Sequence, residues 1–374
     1  MKLTTVSSLA GIAAHDWNAL LATDYPFVQH DFLLALEQHN CLQPWGWEPA
    51  YPVAYDSETL VGASPAYVKH NSYGEFVFDW AWADAYQRSG LSYYPKLVIA
   101  VPFTPAAGPR LLAKDGPRKT AIEQELITAA MRNAETDQLS TAHWLFCNPN
   151  DCEQLQRAGM VMRNDFQYHW SNNRYQDFED FLSRLSSKKR KNIRRERRLV
   201  ADAGIATEII NGNELTDEQW NILYDFYRIT FLKKSGTPTL TLDFFQAMAH
   251  RLRAAFARHQ KKIVAGAICF ESNDTLYGRH WGCYRDYDSL HFEVCYYTGI
   301  EYCIKAGLQR FEPGAQGEHK LARGFMPTRT VSGHWIAHDG FRNAIREHLR
   351  HETDALNDYY EQLILSQPYK QSER

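Results

Sequence analysis

The chain has 374 residues, of which 44% are hydrophobic and 23% are charged, with a formal net charge of −3. This composition excludes disordered, collagenous and coiled-coil chains, and the length predicts about two domains at roughly 150 residues each. No apolar run reaches the roughly 18 residues of a membrane-spanning helix, and the N-terminal stretch is a poor match to a signal peptide, so we expect a cytoplasmic protein.

The first half of the chain alternates between helical and extended patterns. Apolar spacing predicts helices at 31–39, 120–134 and 152–159, and extended runs at 52–55, 59–69, 75–82, 96–101, 143–147 and 166–170. The stretch 171–177 is polar and irregular, so we place a domain boundary there, with one domain at 1–172 and a second at 173–374.

The second half opens with a single long helix predicted over 178–200. Thr216 and Gln219 form a capping box at the start of a later helix. The complete series continues with a strand at 205–210, helices from 216 and at 241–257, a hairpin of strands at 262–271 and 275–283, a helix at 293–306, a strand at 308–314 and a helix at 341–363. This order predicts an α/β (α+β) fold with mixed sheets.

The predicted hairpin has a counterpart 204 residues earlier in the chain. Five identities occur at this offset, pairing Gly62 with Gly266, Ala63 with Ala267, Tyr73 with Tyr277, Gly74 with Gly278 and Asp84 with Asp288. Two interpretations remain open, a duplicated domain or two hairpins that share ordinary strand chemistry.

One short segment concentrates positive charge. Between Arg184 and Arg198 lie nine basic residues and one acidic residue, Glu196, although the rest of the chain is acidic. Phosphates of a tRNA, of a nucleotide-linked substrate or of a lipid head group are candidate ligands, and peripheral membrane contact is one of these alternatives. The predicted anion-binding residues are Lys188, Lys189, Arg190, Lys191 and Arg194. The other interpretation is a solvated helix, which like-charge repulsion disfavours.

The sequence lacks the motifs that characterise several classes of functional site. The seven cysteines contain no C-x-x-C pair, and no metal-ligand spacing occurs, so we expect neither a structural metal nor a disulfide framework. The motifs of hydrolases, kinases and dehydrogenases are missing. We expect no tightly bound cofactor.

Long stretches of the chain resemble a known family. The runs SYGEFVFDWAWADAY, YYPKLVIAVPFTPAAGPRLL, LSSKKRKNIRRER and LHFEVCYYTGIEYCIKAGLQRFEPGAQGEHKLARGF are similar to the bacterial FemAB-related proteins, described as predicted N-acyltransferases. The resemblance covers about 17–349. It implies two tandem domains of the Gcn5-related acetyltransferase type, with substrate in the cleft between them and with aminoacyl-tRNA or acyl-CoA as donor.

The donor is not decided by the sequence. Acetyltransferases of this fold bind the CoA pyrophosphate with a Q/R-x-x-G-x-G/A loop that follows a strand. The second half has no glycine at the corresponding place. The first half has a near match at 87–92, in which Arg88 and Gly90 are the candidate cofactor-binding residues. The alternative is an ordinary turn, in which case the resemblance favours aminoacyl-tRNA.

Acyl transfer to an amine requires a proton acceptor and a group that stabilises the oxyanion. A polar cluster in the second half supplies both types. Glu293 or Glu318 could accept the amine proton, His291 could relay it, and Lys320 could hold a phosphate or the oxyanion. The candidate substrate-binding residues here are Arg279, His280, Glu312 and Arg323. The alternative is a set of ordinary ion pairs and helix caps.

The first half contributes aromatic residues interleaved with carboxylates, a combination suited to a sugar-peptide or amine substrate. Asp79, Trp82 and Asp84 are the candidate substrate-binding residues, and core packing with rim carboxylates is the alternative. We therefore expect an N-acyltransferase that acts on an amine-bearing small molecule or peptide, with a cell-wall precursor peptide as a candidate acceptor. The competing hypothesis is a non-catalytic protein of the same fold that recognises a cell-wall precursor or RNA.

Overall fold

The structure is a computed structural model and describes residues 1–233, 235–315 and 317–370. The chain forms two compact units. The first comprises Met1–Asp165 and Arg329–Asp358, and the second comprises Phe166–Thr328 and Tyr359–Arg374. The predicted boundary at 172 stays a prediction.

The first unit contains two sheets. Strands Lys2–Val6, Tyr51–Asp56, Thr59–Ala63 and Leu112–Ala113 form one antiparallel sheet in that order. The other sheet has the strand order Met326–Ile336, Thr141–Cys147, Lys96–Ile99, Ala66–Lys69 and Trp47–Pro49, with one parallel pair between Lys96–Ile99 and Thr141–Cys147. The helices are Ala14–Asn18, His30–Gln38, Trp80–Arg88, Lys119–Thr136, Pro149–Arg157 and Asp339–Leu365, whose last turns belong to the second unit.

A buried cluster of apolar side chains stabilises the first unit. Helix Lys119–Thr136 presents Ile122, Leu126 and Ile127 to it, as its helical periodicity predicts, and Trp144 on a neighbouring strand is fully buried. At roughly 25 cal/mol per Å² of apolar surface, each such side chain contributes about 1.5–3 kcal/mol on burial.

In the second unit, strands are ordered Ile205–Asn211, Leu252–His259, Lys262–Glu271, Thr275–Cys283, Arg310–Glu312 and Val161–Ser171. All neighbours are antiparallel except Thr275–Cys283 and Arg310–Glu312. The helices are Phe178–Arg184, Ser187–Asp202, Asp217–Lys233, Leu242–Ala247 and a continuous helical segment over Leu290–Ala306 with a π-helical turn at Glu293–Tyr297.

Several local predictions are confirmed in this unit. The hairpin turn lies at 272–274, where Ser272 accepts a hydrogen bond from the backbone of Thr275. The capping box is formed as predicted, because the Gln219 side chain accepts from the Thr216 N–H at 2.9 Å and the Thr216 hydroxyl accepts from the Gln219 N–H at 3.3 Å.

The prediction of one helix over 178–200 is wrong. The structure has two helices, Phe178–Arg184 and Ser187–Asp202, separated by Leu185, which is extended, and by Ser186, which is not helical. The Ser186 N–H donates to the Pro368 carbonyl, so a distant segment of chain takes a backbone group that a continuous helix would use. Tertiary pairing therefore overrides the helical pattern.

The prediction of a helix over 241–257 is wrong in its second half. The helix ends at Ala247, and Leu252–His259 is a strand paired on both sides. Ala254 and Ala257 are fully buried, and small side chains fit a strand packed at the centre of a sheet. The alanine-rich composition suggested a helix because its intrinsic helix propensity is high.

The extended run predicted at 75–82 is also wrong, since Trp80–Arg88 is a helix.

The predicted repeat of the hairpin at an offset of 204 is not formed, because the strands after Gly62 do not pair as a second hairpin. Gly62 lies in Thr59–Ala63, which pairs with Tyr51–Asp56, whereas Ala66–Lys69 belongs to the other sheet. Pro65 has no N–H to continue a ladder, and the chain changes sheets at this point.

Candidate active site at the strand ends

Two neighbouring parallel strands of the second unit separate where the candidate site begins. Thr275–Tyr277 pairs with Arg310–Glu312, and the pairing ends there. Pro313 follows and cannot donate a backbone hydrogen bond to extend the ladder. Ligands of α/β folds bind beside the carboxyl ends of parallel strands. Glu312 lies beside His169, and the charge of Lys320 acts on His169; we call these three residues the strand-end site.

Glu312 is the carboxylate of this site. It is 5% exposed, its Oε1 lies 3.7 Å from Nη1 of Arg310, and among the described residues its Oε2 has no hydrogen-bond partner. Burial raises the pKa of Glu312 to about 7, although the cations of Arg310 and Arg279 oppose this rise. A carboxyl group with this pKa can exchange a proton near neutral pH.

Lys320 is the cation of the site. The 3-10 helix Glu318–Arg323 buries it to 1% exposure. Its ammonium donates to the Gly314 carbonyl at 2.6 Å, and the described residues offer it no carboxylate partner within 4.0 Å. Burial lowers the pKa of Lys320 to about 8. A buried ammonium with unused donors is a preformed site for an oxyanion or a phosphate oxygen.

His169 lies on the strand beside Glu312. Its Nδ1 is 3.8 Å from Oε1 of Glu312. Burial, together with the charges of Arg310 and Lys320, lowers the pKa of His169 to about 3, so the imidazole is neutral at neutral pH. Sequence reasoning missed this residue, since a histidine inside FQYHW reads as part of a buried strand.

A buried ion pair lies next to the site. Arg323 donates through Nη2 to Oε1 of Glu196 at 2.7 Å, and the Tyr297 hydroxyl donates to the same carboxylate. The Arg323 guanidinium also lies 3.4 Å from the centre of the Phe292 ring. Arg323 therefore holds the 3-10 helix of Lys320 to the helix of Glu196.

The other predicted catalytic residues have partners of their own. Glu293 is buried and pairs with Arg197 at 3.0 Å, and burial raises its pKa. Both line a pocket of about 360 Å³. His291 packs edge-on against the ring of Tyr296. Glu318 is exposed and accepts a hydrogen bond from the Tyr359 hydroxyl at 2.5 Å.

Two predicted substrate-binding residues lie on the strand Thr275–Cys283. Arg279 is half-exposed, and its charge lowers the pKa of Glu312, which places it in electrostatic range of the strand-end site. His280 packs among aromatic rings, including those of Tyr227 and Phe245, and burial lowers its pKa well below the usual value.

The basic helix is Ser187–Asp202. Lys188, Lys191 and Arg194 are exposed, and Lys189 and Arg190 are half-exposed. Arg194 pairs with Glu179. Four of the five predicted anion-binding residues therefore have no ion pair with any described carboxylate.

In the first unit, Asp79 belongs to a buried polar network. Lys96 is fully buried and pairs with Asp79 and with Glu75, and the Tyr93 hydroxyl donates to Asp79 at 2.6 Å. Although burial favours a lower pKa for Lys96, the two carboxylates raise it above the usual value. Sequence reasoning proposed Asp79 for substrate but missed the ion pair with Lys96, which packing alone creates.

The remaining candidates of the first unit surround helix Trp80–Arg88. Trp82 is buried against the His334 ring, whereas Asp84 is exposed, pairs with Arg88 at 2.8 Å and lines an open pocket of about 480 Å³. Arg88 ends the helix and Gly90 follows with φ of +73°. The strand expected before this loop is a helix, and helix C-termini present carbonyl oxygens rather than N–H groups, which disfavours a phosphate here.

The described residues contain no helix long and apolar enough to cross a membrane, and no group of at least three His, Cys, Asp or Glu side chains arranged to hold a metal ion. All seven cysteines are free.

Comparison with solved structures identifies the fold. FemX has a TM-score of 0.55 with this chain at 8% identity, and the match covers 92% of this chain and 100% of FemX. The C-terminal domain of a putative lysylphosphatidylglycerol synthetase from Agrobacterium fabrum has a TM-score of 0.51 at 10% identity, covering 89% of this chain and 94% of that domain. The predicted α/β fold with two tandem acetyltransferase-like domains is confirmed.

A family model named FemAB-like, with the description peptidoglycan biosynthesis/recognition, matches residues 8–371. The chain therefore belongs to the FemAB-like family, and the predicted family is confirmed. No curated protein matches the sequence.

Proposed function

We propose that this protein is an N-acyltransferase that transfers an acyl or aminoacyl group to an amine, with the strand-end site as its reaction centre. The observation that carries the proposal is the Lys320 ammonium, which is buried with one carbonyl partner and no described counter-charge. Such a group is costly for folding, so a role in binding developing negative charge accounts for its presence.

The proposed chemistry uses two groups of the site. A neutral acceptor amine attacks the acyl carbonyl carbon and forms the new C–N bond, and Lys320 donates hydrogen bonds to the oxyanion. Glu312 accepts the proton that the amine loses. As the intermediate collapses, the bond to the donor breaks, which is C–O in an aminoacyl-tRNA and C–S in an acyl-CoA, and the proton passes to that leaving group.

The neighbouring residues position this pair in the proposal. Neutral His169 lies beside Glu312 without competing for the proton, since its pKa of about 3 keeps it uncharged. Arg323 fixes the 3-10 helix that carries Lys320 through its ion pair with Glu196. The predicted roles of Glu293, Glu318 and His291 stay predictions, with Glu293 the more enclosed of the two carboxylates. The family description supports a cell-wall precursor peptide as the acceptor.

The experiment is a transfer assay on the purified full chain. Aminoacyl-tRNA and acyl-CoA are tested separately as donors with a soluble cell-wall precursor peptide, and mass spectrometry detects the acylated amine. Lys320→Met is expected to lower kcat by about 10²–10³-fold, the typical loss for one oxyanion donor. Lys305→Met is the matched control, because Lys305 is exposed on helix Thr298–Ala306 and should leave the rate unchanged.

Two outcomes would contradict the proposal. Transfer that is equally fast in the Lys320→Met variant would remove Lys320 from the reaction. Tight binding of the precursor peptide without transfer from either donor would instead favour a recognition protein of the same fold.

A further inference from the structure

A chain of hydrogen bonds runs through the interior of the first unit and ends on a serine. Ser332 Oγ lies 2.9 Å from Nε2 of His334, and Nδ1 of His334 lies 2.7 Å from Nδ1 of His143. Nε2 of His143 lies 3.2 Å from the Tyr93 hydroxyl, which donates to Asp79 at 2.6 Å. All five side chains are buried and belong to the first unit. We call these five residues the serine relay.

The acidic end of the serine relay determines the direction of its first hydrogen bond. Burial raises the pKa of Asp79, but the charge of Lys96 and the hydrogen bonds to the carboxylate outweigh this effect, so its pKa lies below the usual value. The ionised carboxylate can only accept hydrogen bonds. Tyr93 has a single O–H and donates it to Asp79, so the Tyr93 oxygen is left as an acceptor.

The two histidines continue this direction. Burial lowers the pKa of both well below the usual value, so each ring is neutral and has one donor and one acceptor nitrogen. His143 donates through Nε2 towards the oxygens of Tyr93 and Thr141, the second at 2.8 Å, because the other tautomer would place its lone pair against that of Tyr93. Nδ1 of His143 then accepts from His334, and Nε2 of His334 accepts from the Ser332 hydroxyl.

This direction gives Ser332 the arrangement of an activated nucleophile. In such sites the nucleophile lies within about 2.6–3.2 Å of a base, and a third group holds the other side of the base. Here His334 is the base and His143 is the third group. The arrangement recurs on unrelated folds and is recognised by geometry rather than by sequence position, so the hydrolase motifs that the sequence lacks do not bear on it.

The backbone around Ser332 is irregular. The register with the neighbouring strand shifts between Val331 and Gly333, so two residues of that strand, Leu145 and Phe146, lie opposite Ser332. Phe146 has φ of +54°, a left-handed conformation that is unfavourable for a bulky side chain. Bulges of this kind occur beside active sites, where they change the direction of a side chain.

Ser332 also lines a small pocket of about 50 Å³. The apolar side chains of Val77, Phe78 and Phe146 form part of its wall. Since a single water needs at least about 10–15 Å³ of such a cavity, the pocket accommodates a group of a few heavy atoms, such as a short acyl chain. Arg163 lines the same pocket, and its charge contributes to lowering the pKa of both histidines. A guanidinium at this place can stabilise a developing oxyanion.

We propose that Ser332 is the nucleophile of a second catalytic centre, which hydrolyses esters of short acyl groups. Ser332 Oγ attacks the carbonyl carbon and forms a C–O bond to the acyl group, while Nε2 of His334 takes the hydroxyl proton. The bond to the leaving group breaks, and His334 returns the proton to the departing alcohol. Water then attacks the acyl-serine with His334 again as base, which releases the acid and restores the serine. His143 and Tyr93 are positioning residues that hold His334 in the required tautomer.

The test treats the purified full chain with a fluorophosphonate probe, which reacts with activated serines, and locates the adduct by peptide mass spectrometry. Hydrolysis of p-nitrophenyl acetate is followed in parallel. The variant Ser332→Ala removes the nucleophile, His334→Gln removes the base and Tyr93→Phe removes the positioning hydroxyl. Ser92→Ala is the control, because Ser92 is exposed and lies outside the serine relay. Circular dichroism establishes that each variant is folded.

The wild type and Ser92→Ala should carry the adduct on Ser332 and hydrolyse the ester with an initial burst of p-nitrophenol. Ser332→Ala should lose both signals. His334→Gln should lower the labelling rate by about 10²–10⁴-fold, the typical contribution of a general base. Tyr93→Phe should lower the maximal labelling rate while the affinity for the probe stays the same, because the hydroxyl orients the base and does not contact the probe.

The wild-type protein alone can overturn the proposal. A folded wild type without an adduct on Ser332 would mean that the serine relay is a structural network of the first unit, whatever the variants show. Equal labelling of Ser332 in His334→Gln, an unchanged maximal rate in Tyr93→Phe, or equal ester hydrolysis by Ser332→Ala would also contradict it.

Discussion

Replacing Lys320 with Met should stabilise the protein while it removes the proposed activity. Methionine fills a similar volume and carries no charge, so it eliminates the cost of burying the ammonium. A pKa lowered from 10.5 to about 8 corresponds to about 3 kcal/mol of destabilisation at neutral pH, at 1.36 kcal/mol per pH unit. Loss of the hydrogen bond to Gly314 costs about 1 kcal/mol, which leaves a net gain of about 2 kcal/mol.

The gain should depend on pH in a defined direction. Because the folded-state pKa of Lys320 is lowered, the unfolded chain binds the proton more tightly, and the cost is complete below pH 8. Between pH 8 and about 10.5 the folded protein loses the proton first, so the wild type gains stability relative to the variant. Above that range the charge no longer contributes, and the wild type should be more stable than the variant by about 1 kcal/mol, the contribution of the hydrogen bond to Gly314.

Urea denaturation at several pH values measures this difference, with Lys96→Met as the matched control. Lys96 is also fully buried, but it pairs with Glu75 and Asp79, which raise its pKa. Removing it leaves two buried carboxylates without their cation, so about 3–5 kcal/mol of stability should be lost. If Lys320→Met is destabilising at pH 7 to a similar degree, Lys320 has a structural role and the reasoning about an unsatisfied ammonium is wrong.

Three further predictions concern the same unit. The rate of transfer should rise as pH passes about 7, where Glu312 loses its proton, and fall above about 8, where Lys320 loses its proton. In the Lys320→Arg variant the decrease above pH 8 should be absent, because arginine stays charged. An unchanged decrease in that variant would mean that another group causes it. Glu196→Gln should destabilise the chain by about 3–5 kcal/mol because it leaves Arg323 buried without its counter-charge, and the double variant with Arg323→Met should recover most of this loss in chemical denaturation. Thr216→Ala should cost about 1 kcal/mol through loss of the cap, measured in the same way, and a cost near zero would mean that the helix start is frayed in solution.

Local features of the fold could be predicted from the sequence because neighbouring residues determine them. The capping box at Thr216 and the turn at 272–274 each depend on a few residues that satisfy one another's backbone groups. The apolar stripe of helix Lys119–Thr136 follows from helical geometry alone. The tandem fold was predicted from the family resemblance, because hydrophobic periodicity alone does not show how the elements are arranged.

Predictions failed where distant segments compete for the backbone. Leu252–His259 has a helical composition but becomes a strand, because strands on both sides satisfy its N–H and C=O groups. The helix predicted over 178–200 breaks at Ser186, because the C-terminal segment near Pro368 takes its N–H. No local sequence pattern indicates the strands that pair with Leu252–His259 or the C-terminal segment that pairs with Ser186.

The candidate site also combines features that the sequence determines with features that depend on tertiary contacts. The sequence by itself determined that acidic, basic and histidine side chains are concentrated near 279–323, and that positive charge is concentrated near 184–198. Only the tertiary structure decided that Glu312 and Lys320 are buried while Glu196 turns inward to pair with Arg323. Burial and pairing depend on which surfaces meet, and these two quantities set the pKa of each group and the charge that remains exposed.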